Sequence, residues 1–592
     1  MFPHDGETLH VAADTPADSA TSERAGDTTI AGYLRVAVTP IALYLFSAVL
    51  LLFRIGGHPN YNYNWESYTA WEFFPFWEHP TRHIFGLTDG LMTDSGRSPL
   101  IILPAWLGFQ LGGAGLTSLR VPIALIAALA VPLVWLAARR LTTLWTATLA
   151  AALLAVAPAF ILYARTATVV GISVAPALLT VYALLRVLQR PTGWNWGWLI
   201  ALQILLIADS YAYAPIRFLW PMSVVLFLGE IIWRRGLRWR FAIACLVTAI
   251  VLPAVLILID EAPGHNPRAA IKTYYNGRGE QILSLHNDPA GYKYYLRNPD
   301  AEAAAATEDD SSTQLAFLLI KQNTKDLANL LLDHDRRPAI TDYWNPHGRL
   351  YPWFLVPFFL LGMGASLWRI PHHVEDRLLL ALFWGFSLPM IVTSQVHIGR
   401  LIFAMPFLFI FVAIGIVFAA GWLTSLVRRL SAGIDPRITP VGLAVALFLV
   451  TSWSAWRDYR IAANPSRDAN IIAQLRTAAP TLRATHGSAA LVTGGMNQVQ
   501  VEAISTAGYR LDLNDDYAFV DLAAGEHAPA NDARPTLYFG GLLDQLPAPG
   551  APALPCDTVY YVNFSIHTQF LDTVAASRPG CLAPPHVETL AN

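Results

Sequence analysis

A helix that crosses a hydrocarbon layer about 30 Å thick needs roughly 20 consecutive apolar residues, and such stretches recur throughout this chain. Eleven satisfy that length, at approximately 33–54, 118–138, 143–162, 167–188, 196–213, 215–233, 241–260, 351–369, 378–395, 400–424 and 438–456. A twelfth apolar segment, 98–112, is too short to cross and reads as an interfacial or re-entrant helix. With mean hydropathy at +0.40 and 14% charged residues, a water-soluble domain of this size would expose much apolar surface. The pattern is that of an α-helical polytopic membrane protein.

Threading the spans in order fixes a topology. If the N-terminus is cytoplasmic, the inward connections hold Arg139 and Arg140, Arg186 and Arg190, Arg234, Arg235, Arg238 and Arg240, Arg369 and Arg377, and Arg428 and Arg429. Each inward turn then obeys the positive-inside rule, and the opposite threading violates it throughout. Residues 1–32 read as a disordered cytoplasmic tail, polar and acidic, without the apolar region of a cleaved signal. The spans occupy 33–456, with outer loops at 55–117 and 261–350, and residues 457–592 form an extracytoplasmic piece. The localisation that follows is the plasma (inner) membrane, multi-pass, with its functional surface outside.

The C-terminal piece alternates strand-like runs (Ala489–Val492, Thr536–Phe539, Thr558–Val562) with a helical pattern near 467–479, which predicts a small α/β domain. Cys556 and Cys581 both fall in it, whereas Cys245 falls in a span. An outer compartment permits a disulfide between the first two, and two free thiols are the alternative, since sequence gives no Cα separation.

The first outer loop is dense in aromatic residues from Asn60 to Pro75, as in a helix at headgroup level. Glu66 and Glu72 lie six residues apart, about 120° around a helix, so they do not share a face. A single carboxylate near the lipid surface suits proton removal from an acceptor hydroxyl, and a solvated glutamate on a polar face is the bland alternative. Asp94 and Arg97 follow, the arginine standing just before the apolar run, where it could grip a lipid phosphate bidentately or merely snorkel. Glu78, His79 and His83 form a weak metal pattern, and no metal site is assigned.

Isolated arginines with hydroxyl or imidazole neighbours mark the outward ends of later spans: Tyr163 with Arg165, Tyr211 and Tyr213 with Arg217, and His397 with Arg400. They run against the inward bias. Arginines at membrane depth need partners, and an anionic lipid head or a structural acceptor such as Asp209, Asp260 or a backbone carbonyl would serve.

Together these features resemble the GT-C fold glycosyltransferases of the family 39-like group, which includes protein O-mannosyltransferases and the lipid A aminoarabinose transferase. The resemblance covers about 33–425. It rests on Trp65-Glu66-Ser67-Tyr68, where the family has Asp-Glu-x-Tyr; on Arg97-Ser98-Pro99-Leu100; on Leu119 through Leu141 around the second span; and on Tyr211-x-Tyr213-x-x-x-Arg217. Asn345 through Arg349, and His397-x-x-Arg400 through Pro406, resemble the family's later pattern.

The resemblance implies a GT-C fold with about eleven transmembrane helices, interfacial helices and a small extracytoplasmic α/β domain. It implies transfer of a hexosyl or pentosyl group from a polyprenyl-phosphate sugar at the bilayer, without a further cofactor or nucleic acid, to a protein, glycan or lipid acceptor of the cell envelope. In such enzymes the first-loop aspartate is the proposed base and a basic residue before the apolar helix contacts the donor phosphate. Arg97 matches the basic position, while Trp65 stands where the family has Asp. Three readings follow: Glu66 serves as base, Asp94 approaches from the far end of the loop, or the chain is a catalytically silent module that binds lipid-linked glycan or joins an envelope complex. The substrate contacts implied are Arg97, Tyr163, Arg165, Tyr211, Tyr213, Arg217, His397 and Arg400.

Overall fold

The computed structural model describes residues 30–55, 99–112, 116–189, 196–209, 212, 214–233, 238–259, 312–332, 350–392, 396, 398–430, 438–461, 467–485, 487–492, 516–521, 532–540, 555–562, 581 and 586–589. The apolar runs become α1 (Ile30–Leu52), α2 (Pro99–Gly112), α3 (Leu116–Ala128), α4 (Ala130–Leu141), α5 (Leu144–Ala155), α6 (Pro158–Arg165), α7 (Val169–Leu188), α8 (Trp196–Asp209), α9 (Leu219–Trp233) and α10 (Arg238–Ile259). After α11 (Ser312–Leu332) come α12 (Val356–Arg369), α13 (Val374–Ser387), the short α14 (Ile398–Leu401), α15 (Met405–Leu430), α16 (Ile438–Ile461) and α17 (Arg467–Thr485).

Among the described residues, five helices are long and apolar enough to cross a membrane, or six if the bent pair of α5 and α6 counts as one span. The outward faces of the long and the shorter apolar helices alike point to the solvent. On α1, Val38, Ile41, Leu45 and Val49 are exposed at helical spacing while Leu43, Ser47 and Leu51 are buried. Exposed Val441, Val445, Leu449 and Trp453 repeat this on α16. Apolar stripes turned outward along whole helices belong in lipid.

Small residues let the helices approach closely where lipid offers no hydrophobic drive. The α12–α15 crossing is reciprocal: a Cβ on Gly362 would lie 1.8 Å from the Phe411 carbonyl oxygen, and one on Gly415 1.9 Å from that of Phe358. Around it Tyr351, Phe359, Phe383 and Phe411 pack edge-to-face or tilted, at centroid separations of 5.5–6.2 Å. On the other side Trp135 of α4 is fully buried, and its Nε1–H donates to Thr148 Oγ1 of α5 at 3.1 Å.

Two details go beyond the sequence reading. The span at 143–162 is not one straight helix: α5 ends at Ala155, α6 starts with Pro158 at its first turn, and the two axes bend by 59°. Proline at that position lacks the amide hydrogen that would continue α5. The segment 261–350, read as an outer loop, contains the 21-residue α11. Its buried positions Leu319, Asn323, Leu327, Leu330 and Leu331 recur every three or four residues, which makes it amphipathic rather than apolar throughout. Asn323 Nδ2 donates to the Ile391 carbonyl at 3.1 Å and Tyr351 donates its hydroxyl hydrogen to the Leu331 carbonyl, tying α11 to the turns that flank α12 and α13.

The C-terminal sheet is parallel throughout, in the order β2-β3-β1-β4-β5, with β1 at Ser488–Val492, β2 at Ala518–Asp521, β3 at Thr536–Gly540, β4 at Val559–Val562 and β5 at His586–Thr589. Tyr517 donates its hydroxyl hydrogen to the Leu475 carbonyl and so docks α17 beside the sheet. Cys556 and Cys581 form a disulfide, with Cα atoms 5.4 Å apart and a sequence separation of 25.

Candidate functional site

The two ends of the helical bundle are set by what the arginines touch. At one end, α4 and α7 finish and α8 begins. There Arg186 lies 4.8 Å over Trp198, its Nη1 donates to Tyr182 Oη at 3.2 Å, and Arg140 lies 5.9 Å from the same Tyr182 ring. Arg139 covers Trp135 at 5.0 Å, and Arg377 of α13 covers Trp233 at the end of α9 at 4.7 Å. An ion pair of Arg369 with Asp376 at 2.9 Å joins α12 to α13 at their arginine-bearing turn. Every arginine here comes from a connection that the positive-inside pattern places inward.

Following the chain from that end brings α8 to Asp209, α9 back to the Ala214–Phe218 turn, and α13 to the Leu388–Val392 turn and then α14. This opposite end holds the isolated arginines. Arg165, 1% exposed, donates from Nη1 to the Leu50 and Leu51 carbonyls at 3.0 and 2.9 Å. Arg120, fully buried, donates from Nη1 to the Ile55 carbonyl at 3.2 Å. Both therefore close the C-terminal end of α1, where backbone carbonyls have no partner within the helix and the dipole favours a cation. The chain leaves α1 through Arg54 in the left-handed region, φ 53°.

Arg217 is buried at 3% exposure on its 3-10 turn, which packs on α8, α9 and α13. Arg400 sits on α14, which follows α13 and the Leu388–Val392 turn in the chain. Tyr163 is buried on α6, and its carbonyl accepts from Thr166 Oγ1 at 3.1 Å. A Cβ at Gly171 would come within 2.0 Å of that carbonyl, so α6 and α7 meet there nearly backbone to backbone. Asp209, also buried, accepts from Thr180 Oγ1 at 2.7 Å. Among the described residues its carboxylate takes that hydroxyl rather than an arginine.

Glu66, Asp94, Arg97, Tyr211, Tyr213 and His397 lie outside the described residues, as do Glu72, Glu78, His79 and His83. Arg120 is the residue that sequence reasoning passed over as part of a motif. Its signal is the one that singled out Arg165: a lone arginine in an otherwise apolar run.

Residues 96–258 match the family of dolichyl-phosphate-mannose-protein mannosyltransferases. No curated protein matches the chain. Among solved structures, the chain is similar at 15% identity and a TM-score of 0.45 to the archaeal oligosaccharyltransferase AglB from Archaeoglobus fulgidus, in complex with an inhibitory peptide and a dolichol-phosphate, over 81% of this chain and 64% of that one. It is similar at 12% identity and a TM-score of 0.42 to ArnT from Cupriavidus metallidurans bound to undecaprenyl phosphate, over 83% of this chain and 86% of that one. ArnT in the apo state gives 13% identity, a TM-score of 0.42, and 81% and 85% coverage. Likenesses of that size assign no residue and no substrate. The family match, in contrast, begins one residue before Arg97 and takes in Arg120, Tyr163, Arg165, Tyr211, Tyr213 and Arg217. The resemblance to GT-C glycosyltransferases of the family 39-like group is thus found in the sequence of this stretch.

Proposed function

We propose that the chain is a membrane glycosyltransferase that moves a sugar from a polyprenyl-phosphate donor to an acceptor hydroxyl on the outer face of the plasma membrane. The observation that carries this reading is the mannosyltransferase-family match over 96–258, which takes in Arg165 and Arg217, two of the three arginines that oppose the inward bias. In the proposed reaction the donor phosphate lies against Arg97, with Arg217 and Arg400 as further cations, and Tyr211, Tyr213 and His397 complete the polar lining. Tyr163 and Arg165 border that lining, Arg165 holding α1 in place. Glu66, or Asp94 in its stead, takes the acceptor proton as the acceptor oxygen bonds to the sugar C1 and the C1–O bond to phosphate breaks. The electron pair of that bond leaves on the phosphate, where guanidinium groups fixed beforehand stabilise the growing charge more in the transition state than in the bound donor.

The sidedness belongs to the same proposal. The arginine bias supports an inward N-terminus, and the Cys556–Cys581 disulfide supports an oxidising compartment for the tail. The division into a 1–32 tail, a 33–456 transmembrane domain and a 457–592 outer domain follows it. A second reading, the catalytically silent module, draws on Trp65 standing where the family has Asp.

The test is transfer of label from polyprenyl-phosphate sugars to envelope acceptors by the purified full chain. Wild-type transfer, with donor affinity falling more in Arg97→Ala than in Arg97→Lys, is expected, because lysine keeps the charge but loses the bidentate fork. Loss of one charge-assisted contact is worth about 1.5–3 kcal/mol. Donor binding without any transfer favours the silent module, and unchanged affinity in Arg97→Ala removes that residue from the site.

A further inference from the structure

The arginine-rich end of the bundle holds a cation cluster that the transfer reaction does not use. Arg140 closes the last turn of α4 and Arg186 the last turn of α7, and both lean on the Tyr182 ring at 5.9 Å. Arg186 also hydrogen-bonds the Tyr182 hydroxyl and stacks on Trp198, whose ring meets Tyr182 edge-on at a centroid separation of 5.6 Å. Gln189 Nε2 donates to the Arg140 carbonyl at 2.7 Å, which fixes the two helix ends to each other.

Two guanidinium groups are thereby held around one phenol, although like charges at close quarters repel. Among the described residues no carboxylate pairs with either. The Tyr182 hydroxyl is a single neutral acceptor and leaves most of the ten N–H donors of two guanidiniums unserved. The contrast lies on the same face of the membrane, where Arg369 has Asp376 and Arg377 donates to the Ile370 carbonyl at 3.0 Å. Beside the cluster, Trp196 and Ile200 of α8 are more than half exposed, so lipid reaches it.

We propose that Arg140 and Arg186, framed by Tyr182 and Trp198, bind the phosphate of an anionic phospholipid whose chains run along the exposed face of α8. A phosphodiester presents the several acceptors in forked geometry that two guanidiniums require, and the aromatic rings hold both cations at headgroup depth. Net negative headgroups are preferred, because two cations outweigh one phosphate and a zwitterionic lipid brings its own cation. The site is independent of the transferase reading and of which membrane face this end occupies.

Native mass spectrometry of the purified full chain tests it, in detergent containing equal amounts of dioleoyl phosphatidylglycerol and dioleoyl phosphatidylcholine. Wild type should retain the phosphatidylglycerol preferentially, and each arginine lost should lower that preference about fivefold. Arg140→Gln with Arg186→Gln should abolish it, Arg186→Lys should keep part of it, and Arg139→Gln, stacked on Trp135 outside the cluster, should leave it intact. Should the double variant fail to fold, Arg186→Lys and the single Arg140→Gln carry the same comparison. Equal retention of the two lipids by wild type overturns the proposal, as does a preference untouched by the variants. Millimolar inorganic phosphate distinguishes the remaining source: stabilisation by free phosphate with no selective lipid retention assigns the cluster to a soluble anion and contradicts the lipid site.

Discussion

The two ends of the bundle treat arginine differently. At the end that carries Arg120, Arg165 and Arg217 the side chains are buried, and the first two donate to main-chain carbonyls at the end of α1. At the other end Arg139, Arg140, Arg186 and Arg377 are half-buried and lie over Trp135, Tyr182, Trp198 and Trp233. A guanidinium at membrane depth must have its hydrogen bonds satisfied by protein, whereas one near the headgroups can rest its planar face on a ring and leave its edges to water and lipid. The same residue type is therefore a structural clamp at one end and an interfacial anchor at the other. Chemistry proposed at the clamped end begins from a backbone that those arginines already hold rigid.

The largest effect that sharpens this comparison is chemical. Glu66→Gln keeps size and hydrogen bonding but removes proton acceptance, so turnover should fall by roughly 10²–10⁴-fold while donor affinity stays nearly intact. Inactivity of Asp94→Asn beside an active Glu66→Gln would move the base to Asp94. Next comes the clamp. Arg165→Met strips the Leu50 and Leu51 carbonyls of their donor, and each buried acceptor left unsatisfied costs about 1–3 kcal/mol. Equilibrium unfolding in mixed micelles reads this loss, and a change below about 0.5 kcal/mol would break the assignment of Arg165 as a clamp.

At the ring-stacked end the loss of an arginine should matter less. Arg377→Gln gives up a cation–π contact with Trp233, worth about 0.5–1 kcal/mol at an exposed site, and a part-buried hydrogen bond to the Ile370 carbonyl that water can replace. A loss as large as that of Arg165→Met would erase the difference between the ends. The smallest effect lies in the tail. Hydrogen bonds from Arg534, from its side chain first and then its backbone, hold the Asp532 carboxyl down to about 2. A depressed folded pKa means that the pair's stabilisation is present above the ordinary carboxylate value and fades as pH falls through about 2. An NMR titration of Arg534→Gln should find the Asp532 midpoint raised toward the usual carboxylate range.

Much of the fold is legible because lipid makes its demand over whole helices. Eleven windows of apolar residues coincide with helices or broken helices, and the strands foreseen at Ala489–Val492, Thr536–Phe539 and Thr558–Val562 match β1, β3 and β4 within a residue or two. What escaped was short or amphipathic. β5, His586–Thr589, has one strongly apolar residue, Val587, too little for a periodic signal. α11 carries Lys321, Asn323, Lys325 and Asp326 among its leucines, so a search for unbroken apolar length passes over it although its three- and four-residue spacing is visible. Of the candidate site, the lone arginines could be picked out because they fall at the span ends opposite to those that carry the arginine clusters. That Arg165 would grip α1, 114 and 115 residues earlier in the chain, is a fact of packing that no local pattern encodes.

The central claim, that this scaffold transfers a sugar from a polyprenyl-phosphate carrier, is tested most directly by the purified chain in lipid with a radiolabelled polyprenyl-phosphate sugar and an envelope extract. The account predicts that label moves to acceptor with wild type and with Arg139→Gln, and that Glu66→Gln or Asp94→Asn stops it while donor still binds. Bound donor with no transfer by wild type, across mannosyl, glucosyl and aminoarabinosyl carriers, would contradict it.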